Sequence, residues 1–245
     1  MRRGHAYRVR EPLDPERTGC RGDLPSRQGL GPGNGSSNGI DISVFDPTRF
    51  SAAAVKTARA NLGIPAYAFV VGFLGRIGRE KGIEQLYQAW QVVREASPSA
   101  YLLLVGPDEP NDPVAPGIIE ALKSDPRVRM TGPDWYPARL YALMDVLCMP
   151  SHREGLPNVA LEAAAMEVPV VAFRVPGVVD AVDSGATGEL VDPLSAEQVA
   201  AAICKYFRQP SLRRKHGRAG RRRIRELFAR EKVWASLTKF YLSVN

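Results

Sequence analysis

The chain has 245 residues, 44% hydrophobic and 24% charged, the balance of a globular protein with room for one substantial α/β domain. No apolar run approaches the roughly 18 residues of a membrane span, and the basic start at Met1 has no apolar stretch behind it, which excludes a secretory signal. The formal net charge of +7 suggests an anionic partner, while Cys20, Cys148 and Cys204, far apart and odd in number, argue against a disulfide framework or a zinc site and for a reducing, cytoplasmic compartment.

Residues 1 to about 28 are rich in Arg, Pro and Gly and carry apolar residues without period. They read either as a disordered basic arm or as the product of a truncated or frame-shifted gene. The second is favoured because the character of the chain changes abruptly near Gly29. From residue 68 the pattern is regular. Strands are predicted over 68–74, 101–105, 128–130, 145–149, 169–173 and 188–191. Helices are predicted over 82–96, 118–122, 138–144 and 157–166, and then over 196–207, 211–228 and 230–242. The helix over 82–96 has Ile83, Leu86, Ala89, Trp90 and Val93 at helical spacing. Cys148 falls in an apolar strand and reads as a small core residue. Strands alternating with helices imply a Rossmann-like parallel sheet with helices on both faces, and its ligands bind beyond the carboxyl ends of the strands.

Two strand ends carry candidate chemistry. After the first comes Gly75-Arg76-Ile77-Gly78-Arg79-Glu80-Lys81-Gly82. The glycines let the backbone turn and approach a ligand; Arg76 offers a planar fork and Lys81 a compact charge near a helix start, together suited to a diphosphate. Arg76 and Lys81 read equally as solvated turn residues. After the fourth comes Pro150-Ser151-His152-Arg153-Glu154-Gly155-Leu156-Pro157-Asn158-Val159, with Glu162 one turn further on. Pro157 suits the first helical position, which leaves the amides of Asn158 and Val159 free as an anion site. Glu162 lies about 7.5 Å past Pro157 along the helix axis, so Glu154 and Glu162 can bracket an extended ligand. Composition alone allows both to be exposed helix-end glutamates. His152 reads as packed or solvated rather than catalytic. The basic stretches, residues 1–27 and 213–225, can be solvated faces or can meet the anionic cytoplasmic leaflet; neither has interleaved aromatics, which argues against nucleic acid.

Gly-Arg-x4-Lys-Gly followed by Pro-Ser-x2-Glu-Gly-x6-Glu resembles family 4 of the retaining GT-B glycosyltransferases, the second stretch matching that family's E-x7-E motif. Gly35 to Asp41, Phe45, Pro47, Val105-Gly106, Gly132, Pro169 to Ala172 and Gly185 to Val191 follow in order. The match covers roughly residues 33–245 and is similar to bacterial members that build surface glycans on lipid carriers. It implies one half of a GT-B fold, the C-terminal donor-binding domain over 33–245, with residues 1–32 outside it and the acceptor-binding domain of relatives not recognisable before it.

The resemblance also implies roles. Arg76 and Lys81, with Gly75, hold the donor diphosphate. Glu154, beside the backbone of Gly155, Leu156, Pro157, Asn158 and Val159, meets the transferred sugar. Glu162 binds the ribose. Pro133, Asp134 and Trp135 lie by the base, where Trp135 either stacks or is partly buried in the fold. No D-x-D is present, so no metal and no cofactor is implied; the substrate is a nucleotide-diphosphate sugar, a UDP-sugar by preference. The acceptor is a lipid-linked or saccharide hydroxyl, the site peripheral on the inner membrane face. The rival readings are a non-catalytic nucleotide-sugar-binding module and, more weakly, an epimerase or phosphorylase of the same fold. One departure is Glu167-Val168, where many relatives have Gly before the Pro-Val-Val strand.

Overall fold

The computed structural model describes residues 39–244. The boundary expected at residue 32, the basic segment before it, Cys20 and Gly35 to Asn38 of the linker motif lie outside the described residues. Six strands form one parallel sheet: β1 (Phe69–Leu74), β2 (Ala100–Val105), β3 (Val128–Met130), β4 (Val146–Met149), β5 (Val170–Phe173) and β6 (Gly188–Val191), in the order β3-β2-β1-β4-β5-β6. Their burial is continuous rather than alternating, as a sheet covered on both faces requires. Register follows from these runs: Val71 pairs with Leu102 on one side and with Val146 on the other.

The helices are α1 (Ala52–Asn61), α2 (Ile83–Ala96), α3 (Ile118–Ser124), α4 (Pro137–Tyr141), α5 (Asn158–Ala165), α6 (Val178–Ala181), α7 (Ala196–Arg208), α8 (Pro210–Arg223) and α9 (Arg230–Val244). Right-handed crossovers put α2 and α3 on one face and α4 to α6 on the other. α7 then packs along α2, and α8 crosses back onto α5. The apolar spacing of α2 explains its place, since Ile83, Leu86, Ala89, Trp90 and Val93 are all buried. α7 starts where the Ser195 hydroxyl accepts from the Gln198 amide at 3.3 Å.

The helix expected over 211–228 is α8 followed by a π-helical turn, Ile224–Phe228. That turn is fastened to the start of the described chain: Ile40 N donates to Phe228 O at 2.7 Å, Arg230 N to Ile40 O at 2.9 Å, and the Arg230 guanidinium pairs with Asp41 at 2.9 Å. α1 and α6 have no counterpart among the predicted elements. α1 is short of apolar periodicity, and its one local signal is Ser51, whose hydroxyl accepts from Ala54 N. α6 has only four residues, too few to show a period. Cys148 is fully buried, and burial pushes its thiol well above the ordinary range, as for an inert core residue. Among the described residues no helix is long and apolar enough to cross a membrane.

Candidate functional site

The sheet order reverses at β1, which has β2 on one side and β4 on the other. Such a switch point opens a crevice beyond the carboxyl ends of the two strands. Here it is a cavity of about 210 Å³ whose walls are the end of β1 with Gly75, Lys81, the end of β4 with Ser151, and residues Glu154 and Leu156 to Val159.

Three close approaches shape the walls. Gly82 is left-handed (φ 72°), and a Cβ on it would stand 1.9 Å from Pro150 O, so the β1 and β4 loops touch backbone to backbone. His152 N extends that contact by donating to Glu80 O at 2.9 Å. Gly177 (φ 80°) presses on the Gly155 carbonyl, where a Cβ would fall 1.2 Å from the oxygen. The loop after β5 therefore holds down the loop that carries Glu154. Reading the strand ends one at a time did not single out Gly177, because its partner lies on another loop.

The polar groups facing the cavity are mostly donors. Lys81 Nζ pairs with Glu154 Oε1 at 2.6 Å, both side chains largely shielded from solvent. α5 begins at Asn158 rather than at Pro157, which is extended and serves as its cap residue. Pro157 accepts from Ala160 N at 3.1 Å, and among the described residues nothing accepts from the amides of Asn158 and Val159. The helix N-terminus thus presents two free N–H groups and its partial positive charge to the cavity. Ser151, 1% exposed, has a buried hydroxyl with no partner. Leaving a buried donor unmade costs about 1–3 kcal/mol. Ser151 was visible in the sequence only as part of the motif; its burial was not.

Glu162 lies farther along α5, outside the cavity lining, and its Oε2 accepts from the Tyr141 hydroxyl at 2.9 Å. Burial pushes the Glu162 carboxyl up to about 6, and the Tyr141 hydrogen bond holds it down. Burial, then the neighbouring Glu162 charge, drives the Tyr141 phenol well above its ordinary value, so Tyr141 acts as a donor and not as a base. Tyr141 is the second residue that sequence reading missed; its place in an apolar helix made it look like core alone.

Arg76 and Lys81 are expected together on a diphosphate, and both stand in the lining of one shared cavity. Arg76 is ion-paired with Glu109 after β2. The shared cavity, about 220 Å³ and next to the first, also holds Gly78, Glu80, Asn111 and Asp112. Three acids there face two cations, which disfavours a phosphate; Lys81 alone borders both cavities. Asp112 serves the loop instead, accepting from Glu80 N at 2.6 Å and pairing with Arg79 at 3.5 Å. Pro133, Asp134 and Trp135 do not line the 210 Å³ cavity. Asp134 is engaged locally, with Tyr136 N at 2.8 Å and Arg139 at 2.6 Å. Trp135 is 88% exposed, which corrects the expectation that it is partly buried. Its loop follows a three-residue edge strand with no neighbour to cover it. His152 packs over Phe173 and its Nε2 lies 3.0 Å from Gln85 Oε1.

A doubly wound sheet with a donor-lined crevice at its switch point defines a Rossmann-like α/β domain. The family profile described as Glycosyl transferases group 1 matches residues 55–223, and the chain belongs to that family. It is 33% identical over 211 residues to the capsular polysaccharide biosynthesis glycosyltransferase CapM of Staphylococcus aureus, covering 85% of this chain and 54% of CapM. It is 36% identical over 187 residues to the D-inositol 3-phosphate glycosyltransferase of Segniliparus rotundus, covering 74% of this chain and 40% of that protein. The chain thus spans about half the length of the curated relatives it matches.

Among solved structures, the C-terminal domain of the group 1 glycosyl transferase LpcC from Francisella tularensis superimposes with a TM-score of 0.68 at 23% identity. That match covers 78% of this chain and 99% of that one. Anabaena Alr3699/HepE in complex with UDP-glucose gives a TM-score of 0.75 at 24% identity, over 84% of this chain and 56% of that one. The fold is that of the C-terminal domain of a GT-B glycosyltransferase.

Proposed function

We propose that residues 33–245 are the donor-binding domain of a retaining hexosyltransferase. It moves a sugar from a nucleotide-diphosphate sugar, by preference a UDP-sugar, to a hydroxyl of a lipid-linked or saccharide acceptor in surface polysaccharide synthesis. The observation that carries this reading is a set of donors converging on one cavity: the unpaired Ser151 hydroxyl and Asn158 and Val159 amides, beside the Lys81 ammonium that Glu154 holds in place. Such a set fits the diphosphate of a leaving nucleotide, whose charge grows as the sugar departs. Similarity to CapM supports the polysaccharide assignment, and the UDP-glucose complex of HepE supports the donor class.

In this reading the bond from the sugar's anomeric carbon to the diphosphate oxygen breaks, one to the acceptor oxygen forms on the same face, and the acceptor's hydroxyl proton passes to the departing diphosphate oxygen. Lys81 and the α5 N-terminus take the negative charge. Glu154, held by Lys81 at 2.6 Å, meets sugar hydroxyls. Glu162 takes the ribose, with Tyr141 fixing its carboxylate. Arg76, tethered by Glu109 through one nitrogen, offers its other N–H groups to the diphosphate.

Calorimetry of the chain against a panel of nucleoside diphosphates and their sugars tests the assignment. Glu162→Gln is expected to weaken plain nucleoside diphosphate and nucleotide sugar alike, whereas Glu154→Gln weakens only the sugar-bearing ligand. Absence of binding across the panel sinks the donor-site reading. Tight binding without transfer, in the presence of acceptor, reassigns the chain as a binding module.

A further inference from the structure

The chain's 33 cations exceed its 26 acids by seven, and α8 alone carries seven cations and no acid. The remainder of the chain is therefore formally neutral in sum, and this helix is the densest run of cations in the sequence.

Three of the seven are consumed by the fold. Arg213 pairs with Asp145 at 3.0 Å. Arg221 is buried, pairing with Asp46 at 3.0 Å and donating to Ala165 O at 2.6 Å. Arg223 donates to Asp180 O at 2.7 Å. The other four, Arg214, Lys215, Arg218 and Arg222, are exposed, and among the described residues none has an ion-pair or hydrogen-bond partner. Arg214, Arg218 and Arg222 stand four residues apart, so the row runs straight along one face for about 12 Å, with Lys215 beside it.

The opposite face explains why the row points outward. Gly217 lies against Glu167, where a Cβ would meet the carbonyl oxygen at 2.1 Å, and Gly220 lies against Ala164 of α5. A side chain at Gly217 would collide with that carbonyl, and the close packing at Gly217 and Gly220 fixes the rotation of α8. Holding four like charges along one face costs helix stability at each i,i+4 pair. Nothing in the packing repays that cost.

We propose that this face of α8 docks on an anionic phospholipid surface. The chemistry of the face selects that occupant. α8 presents no exposed aromatic residue on which a base could stack, its one imidazole, His216, being buried, which disfavours single-stranded nucleic acid. Between the cations lie only Ser211 and Ala219, so no apolar core exists for a specific protein interface. A planar field of lipid phosphates asks for charge alone. The lipid-linked acceptor proposed above would be met at such a surface, but the charge pattern stands without that reading.

The test is co-sedimentation of the full 245-residue chain with vesicles of phosphatidylcholine alone and of phosphatidylcholine mixed with phosphatidylglycerol. Binding is expected only to the mixed vesicles, and rising salt should release it as the screening length falls from about 10 Å toward 3 Å. Each cation removed should weaken partitioning roughly fivefold. Arg214→Gln with Arg218→Gln should therefore cost roughly 30-fold, and the further changes Lys215→Gln and Arg222→Gln several-hundred-fold in all.

A variant with Arg2, Arg3, Arg8 and Arg10 changed to Gln should retain binding. Equal binding to neutral vesicles, salt-insensitive binding, an unaffected fourfold α8 variant, or loss in the Arg2–Arg10 variant instead overturns the proposal. So does capture by RNA or an acidic polysaccharide with none by vesicles. Nucleoside diphosphate binding, measured on the same preparations, separates the two readings. If it is kept while vesicle binding is absent, only the membrane proposal falls; the reverse sinks only the donor-site reading. Retained nucleotide binding in the fourfold variant also shows that its fold is intact.

Discussion

Asp145 stands at the N-terminal ends of β1 and β4, and Glu154 and Glu162 stand beyond their C-terminal ends. Asp145 has its needs met: Arg59 and Arg213 pair with it at 3.0 Å each, and Val70 N donates to it at 2.9 Å. Arg59 spends its remaining donors on the carbonyls of Leu143 and Ala68, and Arg213 lies over the Phe69 ring. At the other end the Ser151 hydroxyl, two helix-end amides and a carboxyl lifted to about 6 remain. Both ends gather charge at the edge of one sheet. The saturated end is structure, because a paired buried charge has nothing left to offer a ligand. The under-satisfied end is poised for one, because stability has been given up there.

The largest effect should come from breaking the saturated end. Asp145→Ala leaves two partly buried guanidinium groups uncompensated and should cost about 3–5 kcal/mol in urea unfolding. Any loss of nucleotide affinity should vanish at temperatures where the variant is folded. A drop below about 1 kcal/mol would show that the hub is solvated and the contrast between the two ends false.

At the other end, Lys81→Ala should weaken nucleoside diphosphate binding by about 1.5–3 kcal/mol, tenfold or more, with little change in the unfolding midpoint. Arg76→Ala should have the smaller effect, about 1 kcal/mol or less, because Arg76 is largely exposed and engaged with Glu109. The reverse order in calorimetry would make Arg76 the stronger diphosphate contact.

Glu162 gives the comparison a pH axis. Its folded pKa, about 6, lies above the ordinary carboxyl value of 4.5, so its share of stability is present at low pH and lost as pH rises through 6. Glu162→Gln, neutral at every pH, should therefore stabilise the fold at pH 8 by up to about 2 kcal/mol while weakening ribose binding. In the unmodified chain, nucleoside affinity should fall as pH drops below about 6, as the carboxylate that accepts the ribose hydroxyls is lost. Tyr141→Phe removes the donor that holds the carboxyl down and should move that midpoint upward. A pH-independent affinity in both proteins would remove Glu162 from the site.

The smallest effect concerns Glu167, which follows α5 in a left-handed conformation (φ 60°) that favours glycine. Glu167→Gly should raise the unfolding free energy by about 0.5–1 kcal/mol with nucleotide binding unchanged. No gain would mean that its packing against Gly217 already offsets the strain.

Much of the fold was determined by the sequence itself. Continuous apolar runs of four to six residues define buried parallel strands, and the 3.6-residue spacing in α2 and α7 defines their covered faces, because both are local patterns repeated at each residue. The motif around Glu154 and Glu162 likewise marked the β4 loop and α5 as the candidate site. What tertiary structure decided was pairing. Only the folded chain brings Glu109 to Arg76, Tyr141 to Glu162, Gly177 to Gly155 and Arg213 to Asp145, residues 21 to 68 positions apart. A local pattern tells which residues can carry charge or donate a proton. Which of them are already satisfied, and which are left for a ligand or a surface, depends on neighbours that the crossovers of the sheet deliver from distant parts of the chain.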